Sequence, residues 1–202
     1  MKNYLKVLLT VVLFGSVQTL CAQTQNVEEV VLNAIMTRCS VRQYQDKPVE
    51  QEKVEKMLRA GMAAPTAVNR QPWHFVVVNT REALDRLAGS GPRGGMLRSA
   101  PLAIAVCGDM NKALEGKGQE YWIQDTSAAT EIILLAAHAM GLGAVWTGAY
   151  PMEERVKAIR EALQLPDHIV PLCVIVIGYP KGDAQPKDKW KPENVSYNTY
   201  GK

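Results

Sequence analysis

The run Tyr121–Met140 constrains the fold of this chain more than any other segment. Its twenty residues hold no Pro or Gly, and they include Trp122, Ile123, Ile132, Ile133, Leu134, Leu135, Ala136 and Met140. On a helix these side chains go almost all round, so no broad polar face is left. Such a helix is buried in a core or in a subunit interface. Gly141 supplies its stop. The chain must therefore pack other elements around this helix, or pack the helix against a second copy.

The surrounding pattern supplies those elements. Asn26–Thr37 reads as a helix with Val27, Val30, Val31, Ala34 and Ile35 along one side. Val49–Ala64 reads as a second helix, with Val54, Met57, Leu58 and Gly61 inward and Glu52, Lys53, Glu55 and Lys56 outward; Pro65 stops it. Arg81–Ala88 and Met152–Leu163 are shorter amphipathic helices. His74–Val78, Leu102–Cys107, Ala144–Thr147 and Ile169–Ile177 read as buried strands, the last interrupted by Pro171. Gly89–Gly95 reads as a loop and polar Asp109–Gln119 as a mobile lid. From Gly178 the sequence reads as an extended arm. Two helices precede the first strand and the alternation is irregular, which suits a layered α+β fold better than a doubly wound one. The 202 residues suffice for one such domain. A net charge of +3 gives no reason to expect a nucleic-acid partner.

The N-terminus has a different character. Lys2 and Lys6 precede the apolar run Val7–Val17, and a small residue, Ala22, comes before the polar Gln23. This is the pattern of a secretory signal peptide, residues 1–22, and the run is too short to span a bilayer. Cys21 invites lipid attachment, but Leu20 is not the small residue a lipoprotein signal places before its cysteine. The expected product is exported, to the periplasm, with no membrane anchor after cleavage. Three cysteines then remain: Cys39, Cys107 and Cys173. The last two lie in apolar strands and read as small buried hydrophobes. Cys39, between Arg38 and Ser40, sits in an electropositive setting that suits a thiolate, yet no partner histidine is spaced to activate it.

Some motifs mislead. Gly89–Gly94 matches G-x-G-x-x-G, but a helix precedes it, Pro92 interrupts it and no convincing helix follows, so it reads as a surface loop. His74, His138 and His168 lack metal-ligand spacing, and there is no nucleophile elbow.

Three other segments carry a common chemistry. Arg38-Cys39-Ser40-Val41-Arg42 presents two guanidinium forks, suited to phosphate or carbonyl oxygens, with a hydroxyl between them. By itself it reads better as a solvated basic face. Pro65-Thr66-Ala67-Val68-Asn69-Arg70-Gln71-Pro72-Trp73 holds small and amide side chains between two prolines, and by itself it could be a plain connection. Gly141-Leu142-Gly143-Ala144-Val145-Trp146-Thr147-Gly148 ends a strand on glycine, which permits close approach of a ligand. Lys187, Lys189 and Lys191 could reach a phosphate or stay solvated.

In this order, R-x-S-x-R, then A-P-[ST]-x-x-N-x-Q-P-W, then a long helix ending in G-L-G-x-x-W-x-G resembles the nitroreductase family, from Val27 to the C-terminus. The resemblance implies a three-layer α+β fold, with a central, mostly antiparallel sheet flanked by helices, in an intertwined homodimer that binds FMN at its interface. Residues 23–202 would form one FMN-binding domain with an extended C-terminal arm. Arg38, Ser40 and Arg42 would hold the phosphate, ribityl chain and pyrimidine edge. Cys39 stands where a second basic residue is common, so only its backbone contact would survive. Pro65, Thr66, Ala67 and Asn69 would come from the other subunit. Trp146, Thr147 and Gly148 would line the flavin, and Lys187 and Lys189 match a C-terminal basic pair only loosely.

The implied reaction is ping-pong transfer from a reduced donor, NAD(P)H or another, to a nitroaromatic, quinone or similar acceptor. No acid–base side chain is expected to be essential. Reductive dehalogenation, dehydrogenation, or an exported flavin-binding dimer without turnover are the alternatives. Export sharpens the question of donor, because free NAD(P)H is not expected outside the cytoplasm; the alternative is that residues 1–22 are no signal and the protein is cytoplasmic.

Overall fold

The computed structural model describes residues 26–89 and 94–201. The expected signal segment 1–22 and most of the glycine-rich motif lie outside the described residues. The chain divides between Met36 and Thr37 into two compact units. Of the first, the described part is helix α1 (Val27–Thr37, whose last residue belongs to the second unit), with Glu28 and Glu29 in its first turn. Negative charge there complements the helix dipole. Its large apolar side chains Val27, Val30, Val31, Leu32, Ile35 and Met36 are all exposed.

The second unit is built on strands β1 (Trp73–Val78), β2 (Leu102–Asp109), β3 (Gly143–Gly148) and β4 (Ile169–Gly178). They pair antiparallel throughout in the order β1-β2-β4-β3. Alternation along β2 sets the layers. Leu102, Ile104 and Val106 turn to one face, where they pack with Val54 and Met57 of α2 (Gln51–Met62) and Ile133, Leu134 and Ala137 of α5 (Tyr121–Ala139). Ala103, Ala105 and Cys107 turn to the other, toward Leu84 and Leu87 of α3 (Arg81–Ala88), Leu97 of α4 (Gly94–Ser99) and Ile159 of α6 (Glu153–Leu163). Helices therefore cover both faces of an antiparallel sheet, the three-layer α+β arrangement expected. Each fully buried Leu or Ile in this core, such as Leu102, Ile104, Ile175 and Ile177, contributes roughly 1.5–3 kcal/mol by leaving water.

Helices α2 and α5 approach closely because Gly61 has no side chain. A Cβ there would lie 2.8 Å from Ile133 Cδ1. Within one chain α5 buries a single stripe, from Trp122 through Asp125, Thr126, Ala129, Thr130, Ile133 and Leu134 to Ala137. Ile123, Ile132, Leu135 and Ala136 on its other sides are only half-buried.

Two local expectations need correction. A helix, α4, does follow the glycine-rich loop. Gly94 begins it against the Ala88 carbonyl, where a Cβ would sit 2.1 Å from the oxygen, so two adjacent glycines, poor helix formers, mask a helix start that packing requires. The dinucleotide reading still fails, because α3 rather than a strand precedes the loop. Pro171 does not interrupt β4; the register slips by one residue between Val106 and Cys107, which pair with Cys173 and Pro171. Bulged Leu172 then turns its carbonyl to Ala149 N–H (2.9 Å) and Tyr150 N–H (3.1 Å), closing the end of β3. The loop after Pro65 contains a single helical turn, Ala67–Asn69. In the Asp109–Gln119 segment, Asp109 is buried and its backbone carbonyl takes the N–H groups of Lys112 and Ala113, which fixes the first turn.

Candidate active site

The Arg38–Tyr44 segment is stitched to the outer edge of the sheet. Val41 N–H donates to Ala144 O of β3 (3.1 Å). Gly143 makes the approach possible, since a Cβ there would lie 2.6 Å from Val41 Cβ. The Tyr44 hydroxyl shares its proton between Val41 O (2.7 Å) and Val176 O (3.0 Å). Burial raises the Tyr44 pKa, only partly offset by nearby Arg42, so this staple stays protonated. The consequence is a fixed neighbourhood: Arg38, Cys39, Ser40 and Arg42 stand beside β3.

The two arginines differ. Arg38 Nε pairs with Glu131 of α5 at 3.0 Å and is mostly buried. Arg42 is exposed, and its Nη1 donates only to Ser40 O, at 3.4 Å. Among the described residues no carboxylate forms an ion pair with Arg42. Cys39 Sγ donates to Ala184 O (3.3 Å). A cavity of about 310 Å³ opens here, lined among others by Arg38, Cys39, Leu134, His138, Ala184 and Gln185.

Strand β3 continues away from this cavity. Ala149 N–H faces β4, while Ala144 O faces Val41 on the opposite side. In an antiparallel edge strand these directions alternate by residue. Trp146 and Gly148 therefore direct their N–H and C=O groups off the outer edge. Thr147 faces β4, and its Oγ1 donates to Val174 O (2.7 Å). Gly148 O accepts from Arg155 Nη1 (3.3 Å). Among the described residues, beyond Gly148 and its two chain neighbours, no heavy atom lies within 4 Å of where a Gly148 Cβ would be. This is a cradle that a planar ligand can enter, with a backbone N–H at its rim.

The Pro65–Trp73 loop forms a third component. Val68, Asn69 and Gln71 all take positive φ (52°, 56° and 50°), a left-handed conformation that costs about 1–2 kcal/mol for a residue with a Cβ. Gln71 N–H donates to Thr66 Oγ1 (3.1 Å) and Gln71 Nε2 to Asn69 Oδ1 (2.9 Å). Arg70 ties the loop to the carbonyls of Lys112 and Ala113. Ala67 N–H donates to Asp125 Oδ1 of α5 (2.8 Å).

The single chain brings Arg38, Cys39, Ser40 and Arg42 to β3. Neither Pro65, Thr66, Ala67 and Asn69 nor Trp146, Thr147 and Gly148 line the 310 Å³ cavity. Lys187 and Lys189 are exposed on the arm and do not line it either. Asp125 and Glu131 escaped notice in the sequence, although a signal was there. They are the only acids of α5, in a helix too apolar to have a solvated face, and each reaches one of the other segments. The remaining cysteines behave as expected. Cys107 and Cys173 are buried, and burial pushes both thiols up to about 12. Among the described residues no His, Cys, Asp and Glu group could hold a metal ion.

The fold and this edge together make an α+β protein with helices on both sheet faces, a glycine-lined sheet edge and two arginines beside it. The chain matches the model of the Nitroreductase family over residues 35–90 and 90–179, and it belongs to that family. A Methanothermobacter thermautotrophicus protein, provisionally named NADH dehydrogenase/NAD(P)H nitroreductase, is 47% identical over 165 residues, covering 82% of this chain and 85% of that protein. A Bacteroides thetaiotaomicron crystal structure with the same provisional name has a TM-score of 0.80 at 48% identity, covering 88% of this chain and 100% of the other. A provisionally named nitroreductase from Desulfovibrio desulfuricans, solved in complex with FMN, has a TM-score of 0.73 at 31% identity, covering 84% and 97% of the two chains.

Proposed function

We propose that this chain is an FMN-dependent oxidoreductase that passes reducing equivalents from a reduced donor to nitroaromatic, quinone or similar acceptors, working as a homodimer. The observation that carries the site assignment is the stitching of Arg38–Arg42 to β3. It sets Arg42, whose guanidinium pairs with no carboxylate among the described residues, on the same sheet edge as the open cradle at Gly148.

The residues present fit FMN. A phosphate or carbonyl oxygen suits the exposed Arg42, with Ser40 beside it, while the backbone of Cys39 and the Glu131-held Arg38 would complete that end. Trp146, Thr147 and Gly148 would line the ring. The Gly148 N–H, directed off the edge, would donate to a ring nitrogen, and Arg155 holds the following carbonyl in place. Pro65, Thr66, Ala67 and Asn69 would serve the site from the second copy, which explains why one chain's cavity lacks them; the half-buried sides of α5 suit the subunit contact. Lys187 and Lys189 on the arm are the remaining candidates for phosphate contact. FMN supplies the electron-transfer chemistry when bound. The chain's own part is to bind and orient, and to stabilise negative charge with a fixed N–H and a nearby cation.

Export through the signal 1–22 is part of the same reading. No helix of the described residues is long and apolar enough to cross a membrane. An exported form would draw on a donor other than free NAD(P)H, such as a quinol.

The site assignment is tested by FMN affinity, followed through quenching of free flavin fluorescence. Arg42→Ala removes a charge-assisted contact and is expected to weaken binding about ten- to a hundredfold. Cys39→Ser keeps the backbone contact and is expected to bind nearly as the parent does. Equal affinity in the two variants would remove Arg42 from the site.

A further inference from the structure

We propose that Asp125 is a positioning residue for the flavin site, holding the Thr66–Gln71 loop in the shape that presents it to the cofactor; this rests on the FMN reading above. Asp125 is only 6% exposed. A carboxylate in such a place is costly unless hydrogen bonds satisfy it. The other buried polar side chains of α5 each donate to a carbonyl of their own helix, Thr126 Oγ1 to Trp122 O and Thr130 Oγ1 to Thr126 O, and Thr130 also lies 3.5 Å from Cys173 Sγ. Asp125 instead reaches off the helix, and its Oδ1 accepts the Ala67 N–H at 2.8 Å.

The receiving loop shows what the bond is for. Ala67 opens the single turn Ala67–Asn69, and from Val68 to Gln71 three non-glycine residues take positive φ. A chain keeps such a conformation only where its surroundings over-determine it, and such strain gathers at ligand-holding sites. Here the tip buries nothing: Val68 is 82% exposed. The strain therefore serves no core. The fasteners lie at the base, with Asp125 on one side and Arg70 on the carbonyls of Lys112 and Ala113 on the other. Arg70 lies beyond the turn; at its start the loop's own bonds to Thr66 close it, and Asp125 is the contact that anchors that start to α5. The sequence spacing follows from this geometry, because Asp125 sits on the stripe of α5 that faces the sheet and the loop rather than on its half-buried sides.

The full chain is compared as parent, Asp125→Ala, Asp125→Asn and Glu82→Gln, an exposed control on α3. Two readouts are used: FMN affinity by fluorescence quenching, and hydrogen exchange of the Ala67–Gln71 amides without FMN. Asp125→Ala is expected to weaken FMN about tenfold or more. Exchange should quicken at residues 67–71 while the amides of β2 and β4 stay protected. Asp125→Asn keeps an acceptor oxygen at the same place and is expected to restore most of both. FMN affinity within twofold of the parent in Asp125→Ala would overturn the proposal. So would equal impairment of the Ala and Asn variants, or loss of protection across the whole sheet, which marks general destabilisation. A parent chain that binds no FMN would instead overturn the underlying reading. Loss of FMN in Arg42→Ala with none in Asp125→Ala would overturn the Asp125 role alone.

Discussion

Gly143 and Val41 settle whether the arginine segment can stand beside the sheet at all. Gly143→Ala places a methyl against Val41 Cβ, backbone-near and unable to swing away. The strain is expected to cost about 1–3 kcal/mol, read from the midpoint of urea unfolding. FMN affinity should fall with it, because the displaced residues carry Arg38 and Arg42. Unchanged stability together with unchanged affinity would show that this contact does not set the site. The arginines themselves were legible in the sequence, but their inequality was not. Only the Glu131 partner on α5 distinguishes a neutralised Arg38 from an available Arg42, and nothing in R-x-S-x-R indicates a carboxylate some ninety positions later.

At the scale of elements, α5 and its termination were the most legible part. Gly141 takes φ +74°, with Gly141 N–H bonded to His138 O and Leu142 N–H to Ala137 O, the paired bonds of a Schellman cap. Gly141→Ala forces a side chain into that left-handed position and is expected to cost about 1 kcal/mol, measured by thermal unfolding, with FMN affinity little changed. A loss of FMN without a loss of stability would mean that Gly141 touches the ligand itself. The strands were equally legible from their apolar runs. What periodicity could not show was α4, whose two glycines deny it any helical signal until Ala88 is seen beside Gly94. The Leu172 bulge and the left-handed turn after Ala67 were hidden for the same reason. Each is imposed by partners distant in sequence.

At the scale of the whole molecule, the sealed core makes a pH prediction. Burial raises the thiols of Cys107 and Cys173 to about 12, whereas an unfolded thiol titrates near ~8.5. The folded state keeps protons that the unfolded state loses, so stability is full below about pH 8.5 and declines from there toward about pH 12. Raised Tyr44 adds to the same slope. Urea unfolding between pH 7 and 10.5 should show the decline, and replacing both cysteines with Ala should flatten it even though the cavities lower stability overall. Of the three described cysteines only Cys39 should react with a thiol reagent at pH 8, since it alone of them is not buried.

The proposed export and the proposed dimer also belong to this scale. Helix α1 exposes six large apolar side chains, which suit a partner surface, and the proposed export calls for a donor other than free NAD(P)H. Redox turnover through FMN is the activity proposed. The most direct test is anaerobic titration of the FMN-reconstituted protein with NADH, NADPH and a quinol, followed by admission of a nitroaromatic or a quinone. The account predicts that at least one donor bleaches the oxidised flavin band and that an acceptor restores it stoichiometrically. A protein that holds FMN yet is bleached by none of the donors would contradict it, and would leave a flavin-binding dimer without turnover.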